Sequence, residues 1–150
     1  MKRLLVTILA AVVLAATCVS PASAAIVPCT ANSVVSSWRA QCERTPTDGD
    51  AGGVSGKVTV WYPGNSAYYA SVEFRAHGEI SYLRNHTTTT AYLRVATRNE
   101  FGDWENFIDQ VVRGPGYSDT VNRSLDEGDP VRVQVCLLDR GCATIATLIS

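Results

Sequence analysis

A few residues are of the types that catalyse hydrolysis, and their spacing shows whether a known catalytic motif is present. Ser55 lies in Gly-Gly-Val-Ser-Gly-Lys, which is not the Gly-x-Ser-x-Gly turn that exposes a nucleophilic serine. Residues 77–79 have the His-x-Glu order of zinc deaminases, but no Pro-Cys-x-x-Cys follows them. Glu73, Glu79 and Glu105 offer carboxylates for a glycosidase pair, although the sequence does not fix their separation in space. The sequence therefore predicts no catalytic residue and favours a non-enzymatic protein.

The cysteines form a second group of chemically capable residues. The chain has five, of which Cys18 falls in an N-terminal leader. The other four predict two disulfides with three possible pairings, and proximity favours the two local ones. These join Cys29 to Cys42 and Cys136 to Cys142. There is no Cys-x-x-Cys, and the two histidines do not sit at the spacing of zinc ligands, so we expect neither a metal ion nor another cofactor.

Three aromatic residues fall on the polar faces of predicted strands, where large rings are less expected. They are Trp61, Tyr69 and Tyr92. Exposed rings of this kind stack on sugars or anchor a protein interface. The alternative is that each ring packs under a loop. The three residues are candidate ligand-binding residues for an extracellular polysaccharide.

A short loop between two cysteines suggests a different function. Asp139, Arg140 and Gly141 lie inside the loop that a disulfide between residues 136 and 142 would close. A pre-organised loop with an exposed arginine is what a trypsin-like protease pocket accepts. The same residues also fit a hairpin turn beside a cross-strand disulfide, with no function beyond structure. Inhibition of a secreted protease is thus an alternative hypothesis, with Arg140 as the anchor.

Residues 1–24 predict a secretory signal peptide. Lys2 and Arg3 give a positive start, residues 4–16 are apolar, and Ala22-Ser23-Ala24 is a small-residue cleavage site. The apolar run is shorter than the roughly 20 residues that span a membrane. We expect residues 25–150 to form one secreted, extracellular domain without a membrane span.

Residues 68–83 predict the central strand or hairpin that positions the candidate side chains. Apolar residues occupy the even positions of this stretch, and the odd positions are mostly polar or charged, as in a half-buried strand. A three-residue turn at residues 77–79 would keep one apolar face, with Phe74 opposite Tyr82. We therefore expect this odd-numbered turn, or one long strand bent at its glycine.

Other alternating stretches predict further strands, at residues 56–62, 91–97, 131–137 and 142–149. Residues 104–113 predict a less regular strand, and residues 31–41 fit a short helix or a strand equally. Residues 43–53 are rich in Pro, Gly and Asp and predict an exposed loop. Seven to nine short strands without a convincing helix indicate an all-β fold, an antiparallel β-sandwich that is immunoglobulin-like or related.

Several features recur together in a known group of proteins. They are the Ala-x-Ala cleavage site, two local cysteine pairs, the strand Ser-Val-Glu-Phe-Arg-Ala-His-Gly-Glu and the final Val-Arg-Val-Gln-Val-Cys-Leu-Leu-Asp-Arg-Gly-Cys. In layout the chain resembles the small secreted, largely uncharacterised two-disulfide proteins of filamentous actinobacteria. The resemblance implies an exported β-sandwich and carries no functional residues.

The net charge of the chain limits the classes of ligand that it is expected to bind. The chain has 13 basic and 14 acidic residues, two of the basic ones lie in the signal peptide, and residues 25–150 thus carry a formal charge of −3. The basic residues are spread singly, so neither nucleic acid nor an anionic membrane is expected as the main partner. The sequence predicts a secreted binding protein for a polysaccharide or a secreted protein. A protease inhibitor and a small secreted hydrolase are the alternatives.

Overall fold

The described part of the chain folds into β-strands. The structure is a computed structural model, and it describes residues 23–47, 49, 50 and 52–150. Its strands are β1 (Ala25–Val27), β2 (Ala31–Asn32), β3 (Arg39–Pro46), β4 (Val54–Tyr62), β5 (Asn65–Arg75), β6 (Ile80–Asn85), β7 (Ala91–Arg98), β8 (Trp104–Val112), β9 (Tyr117–Asn122), β10 (Pro130–Leu137) and β11 (Gly141–Ile149). No helix occurs in these residues, which confirms the all-β prediction. Most of the predicted signal peptide, residues 1–22, lies outside the described residues.

All eleven strands belong to one antiparallel sheet. Hydrogen bonds connect the strands in the order β8-β7-β10-β11-β4-β5-β6-β9, while β3 joins β1 to β4 and β2 pairs with β11. The sheet folds on itself until β10 packs against β4 and β5, and its shape is nearly that of a barrel. The two separate sheets of an immunoglobulin-like sandwich are not confirmed, because Ile149 of β11 pairs with Val54 of β4. The predicted seven to nine strands are too few.

The hydrophobic core lies inside the folded sheet. Val131, Val133 and Val135 of β10 are fully buried, as their alternation predicts, and Val58 and Val60 of β4 are fully buried as well. Branched side chains of this kind pack well on a pleated surface. Burying one such side chain contributes roughly 1.5–3 kcal/mol. Alternate residues on these strands therefore face outward.

The predicted register of the β5–β6 hairpin is wrong. The loop contains four residues, 76–79, rather than three. Two successive loop residues, the second of them Glu79 with φ 51°, adopt the left-handed conformation and close the turn. An even-numbered loop exchanges the two faces of the strand that follows it. Phe74 thus lies opposite Ser81 and not Tyr82, and the odd-numbered residues of β6 face the core.

The expected loop at residues 43–53 is partly wrong. Residues 43–46 continue β3, because each of them pairs with a residue of β4. Strand pairing overrides the weak local preference of these polar residues, as is common for β-structure. The remaining residues connect β3 to β4, and residues 48 and 51 lie outside the described residues. The segment 31–41 forms the short strand β2, a turn and the start of β3.

Both predicted disulfides are confirmed. Cys29 and Cys42 are bonded with their Cα atoms 5.2 Å apart, and the bond ties the segment after β1 to the fully buried side of β3. Cys136 and Cys142 are bonded with their Cα atoms 4.0 Å apart, as direct cross-strand partners of β10 and β11. Two such bonds are compatible with an extracellular location.

A polar side chain at the end of β6 is buried completely. Asn85 has no exposed surface. Its side-chain nitrogen donates to the carbonyl oxygens of Thr89 and Val112, at 3.1 and 3.3 Å. Its side-chain oxygen accepts hydrogen bonds from the backbone nitrogen and the hydroxyl of Thr87, at 3.0 and 2.8 Å. Asn85 thereby holds the connection between β6 and β7 to the end of β8.

Candidate functional site

Two of the predicted ligand-binding aromatics lie side by side on the outer face of the sheet. Trp61 of β4 and Tyr69 of β5 are direct cross-strand partners, and both are half-buried. The ring of His86, just after β6, lies 4.8 Å from the ring of Tyr69 at an angle of 32°. These three residues form an aromatic row that crosses three adjacent strands. The sequence did not indicate His86 as a member.

A shallow groove of about 350 Å³ lies beside the aromatic row. Its lining consists of Gln41, Glu43, Lys57, Thr59, Trp61, Ser66 and Tyr69. The groove thus combines two aromatic rings with an amide, hydroxyl groups, a carboxylate and an ammonium group. Such a mixture offers both stacking and hydrogen bonding to a polar ligand that has flat apolar faces.

Ionic interactions organise the far end of the same face. Arg75 donates from Nε to the carboxylate of Glu73 at 2.7 Å, and its guanidinium lies 4.6 Å from the ring centre of Tyr82. The hydrogen bond to Glu73 raises the pKa of the Arg75 guanidinium above its ordinary value. Arg75 and Glu73 thus satisfy each other.

The third predicted aromatic lies elsewhere. Tyr92 is on β7, where it pairs with Val111 of β8 and Cys136 of β10. The guanidinium of Arg94 lies 5.5 Å from its ring centre. The structure therefore brings Trp61 and Tyr69 together and places Tyr92 on a different part of the sheet.

The predicted inhibitory loop is a tight hairpin turn. Asp139 has φ 59° and Gly141 has φ 91°, so neither adopts an extended conformation. The backbone nitrogen of Arg140 donates to the carbonyl of Leu137 at 3.0 Å, and the carbonyl of Arg140 accepts from Val35 at 2.9 Å. The backbone groups that a protease would bind are thus already hydrogen-bonded. This geometry favours a structural role for the loop.

We expect Gly141→Ala to destabilise the protein by at least about 1 kcal/mol more than Gly116→Ala does. Both glycines have left-handed φ values, 91° and 89°, so alanine incurs a similar conformational cost at each. A Cβ atom at Gly141 would also overlap the carbonyl oxygen of Ser33, whereas nothing lies within 4 Å of one at Gly116. Urea unfolding measures the difference. Equal midpoints would show that Ser33 does not support the turn.

Two of the residues with hydrolytic potential, Ser55 and Glu79, make hydrogen bonds within the fold. Ser55 Oγ lies 2.7 Å from the hydroxyl of Thr47 and accepts a hydrogen bond from the backbone nitrogen of Ala76 at 3.0 Å. The carboxylate of Glu79 accepts from the backbone nitrogen of Leu125 at 2.7 Å. Within the described residues, no three side chains of His, Cys, Asp or Glu are grouped so as to hold a metal ion.

In residues 23–47, 49, 50 and 52–150, the structure has no helix with the length and hydrophobicity for a bilayer span.

Comparison with known proteins found no matching family model, no matching curated protein and no matching solved structure. The function is therefore inferred from the geometry of the chain itself.

Proposed function

We propose that the protein is a secreted, non-enzymatic binding protein whose aromatic row and adjoining groove bind a polysaccharide. The observation that carries the proposal is the pairing of Trp61 with Tyr69, with His86 stacked against Tyr69. Large rings on an outer sheet face have no core to fill. The parts of these rings that remain accessible can contact the apolar faces of sugar rings.

The dimensions of the row suit an extended glycan. Adjacent strands lie about 4.8 Å apart, so three rings on three strands span about 10 Å. A polysaccharide that lies across the strands would contact the rings of Trp61, Tyr69 and His86 in turn.

The polar groups of the groove would orient the bound glycan. Gln41, Thr59 and Lys57 line the groove on the β3 and β4 side of the rings. Sugar hydroxyl groups both donate and accept hydrogen bonds, and these side chains include donors and acceptors. Because the groove is shallow and open, the ligand we infer is a chain that passes over the surface, and not a small molecule enclosed in a cavity.

Several features support an extracellular role. The N-terminal sequence has the pattern of a secretory signal, and the protein has two disulfides. β10 packs against β4 and β5, and Lys57, Thr59 and Trp61 of β4 are partly exposed on the other face of that strand. A polysaccharide outside the cell is an abundant ligand for such a face.

Trp61→Ala is expected to reduce retention of the purified, oxidised protein on an insoluble polysaccharide by about tenfold or more. The substitution removes the largest ring of the row. Binding to insoluble glucan, chitin and xylan would be measured by depletion of the protein from solution. Tyr69→Ala should have a similar effect.

Tyr92→Ala is the matched control, because it removes an aromatic ring that lies outside the row. It should leave retention unchanged. Equal retention of Trp61→Ala and Tyr92→Ala would remove the aromatic row from the hypothesis. Failure of the unmodified protein to bind any of the three polymers would contradict the proposal itself.

A further inference from the structure

A second aromatic group with a different character lies on β7, β8 and β10. Trp104 begins β8 and is the cross-strand partner of Arg98 on β7. The guanidinium carbon of Arg98 lies 4.8 Å from a ring centre of Trp104, and that of Arg132 on β10 lies 4.9 Å from the ring. The indole ring of Trp104 thus contacts two guanidinium groups. With Arg94, these residues form what we call the arginine face.

The arginine face has more positive charge than its neighbours neutralise. Arg94 is paired with Asp109 at 2.8 Å and donates to Gln134 at 3.3 Å. Among the residues that the structure describes, no carboxylate lies within 4 Å of Arg98 or Arg132. Burial lowers the pKa of the Arg132 guanidinium, and repulsion by Arg94 adds to this effect. Arginine nevertheless stays protonated, so the charge of Arg132 lacks a counter-ion.

Stacking on an indole leaves the hydrogen-bonding edge of a guanidinium available. The flat face of the group contacts the ring, and the N–H groups point outward in its plane. A planar fork of this kind matches the two oxygens of a carboxylate, and it also binds sulfate. Arg98 donates one N–H group to the carbonyl oxygen of Gly102. Its side chain is nevertheless exposed.

The spacing of the three arginines fits repeated charges along an extended chain. Arg94 and Arg98 are four residues apart on β7, which corresponds to about 13 Å. Arg132 is the cross-strand partner of Ala96, midway between them. The cationic groups therefore alternate between two adjacent strands. A ligand with one isolated anionic group would use only part of this arrangement.

We propose that the arginine face binds an anionic polysaccharide, whose carboxylate or sulfate groups pair with Arg98 and Arg132. The surface contains neither Trp61 nor Tyr69 and is thus separate from the groove on β4 and β5. The polar side chain of Gln134 lies beside Arg94 on this face, where a protein interface usually has an apolar centre.

The test compares an acidic polysaccharide with its uncharged methyl ester and with a sulfated polysaccharide. The oxidised protein is titrated with polygalacturonate, with its fully methyl-esterified form and with dextran sulfate at low ionic strength. We expect binding to at least one acidic polymer, weaker binding in added salt, and none to the methyl ester. The acidic polymer that binds with the higher affinity indicates whether carboxylate or sulfate is the preferred group.

Arg132→Gln should weaken binding to the acidic polymer by about tenfold. Arg123→Gln removes the same charge from an exposed position outside the arginine face and should change the affinity less than about twofold. Arg132→Lys retains the charge and loses the planar fork, so a folded Lys variant should also bind more weakly. Trp61→Ala should bind the acidic polymer normally, which separates this site from the aromatic row.

Three results would overturn the proposal. Equal binding of the methyl ester would show that charge is not recognised. Equal affinities of the Arg132→Gln and Arg123→Gln variants would show that only net charge matters. Binding of poly-glutamate through Arg132, with no binding of either acidic polysaccharide, would instead identify an acidic polypeptide as the partner.

Discussion

Asn85→Leu is expected to lower the free energy of unfolding by about 4 kcal/mol. Leucine is close to asparagine in size, but it removes every hydrogen bond that the buried amide makes. The carbonyl of Val112 and the backbone nitrogen of Thr87 would lose their side-chain partner, and the carbonyl of Thr89 would retain only the hydroxyl of Thr87. Each unsatisfied buried group costs about 1–3 kcal/mol. Urea unfolding followed by tryptophan fluorescence measures the change.

The same substitution at an exposed asparagine is the control. Asn122→Leu, at the end of β9, should change the stability by less than about 0.5 kcal/mol. A cost below about 1 kcal/mol for Asn85→Leu would mean that water replaces the amide. The hydrogen bonds of Asn85 would then not be what joins β6, β7 and β8.

The burial of Asn85 also shows where reasoning from sequence fails. Alternation on β5 and β10 was read correctly, because an apolar and a polar face are both evident there. On β6 the faces depend on whether the preceding loop has three residues or four. The sequence favoured three, since this kept Ile80 and Tyr82 with the apolar face. The four-residue loop instead turns Leu83 and Asn85 inward.

Removing the first disulfide should have the second-largest effect. The double variant Cys29→Ala, Cys42→Ala is expected to lose about 3 kcal/mol of stability, because the unfolded chain gains the freedom of a 13-residue separation. The Cys42 side chain is also fully buried. Thermal or urea unfolding under oxidising conditions measures the loss.

The second disulfide provides the comparison. The double variant Cys136→Ala, Cys142→Ala should lose about 2.4 kcal/mol, because this bond closes a shorter loop with a separation of six residues. Its ends are also held together by the β10–β11 ladder. A greater loss for the second variant than for the first would contradict loop entropy as the main source of stabilisation.

The candidate site was predictable in part. Parity predicts that Trp61 and Tyr69 face outward. Their pairing depends on an irregularity near the turn, where Trp61 lies opposite Tyr69 but the next residue, Tyr62, lies opposite Asn65. Parity does not tell which part of a folded sheet a strand joins, and for this reason Tyr92 was grouped with the other two rings.

The sequence does not indicate the arginine face, because its residues lie far apart along the chain. Arg98 and Arg132 are separated by 34 positions, and each looks isolated in the sequence. The pairing of β7 with β10 brings them to one tryptophan. A scattered set of basic residues thus became a local cluster through strand order, which the sequence did not indicate.

The complete burial of Asn85 has a consequence for production of the protein. Asn85-His86-Thr87 is an acceptor sequence for N-linked glycosylation, as is Asn122-Arg123-Ser124. In a eukaryotic secretory pathway, a glycan attached to Asn85 before folding would prevent the amide from entering the core. One attached to the exposed Asn122 would extend into solvent without cost to the core. A host without this modification is therefore the better choice for expression.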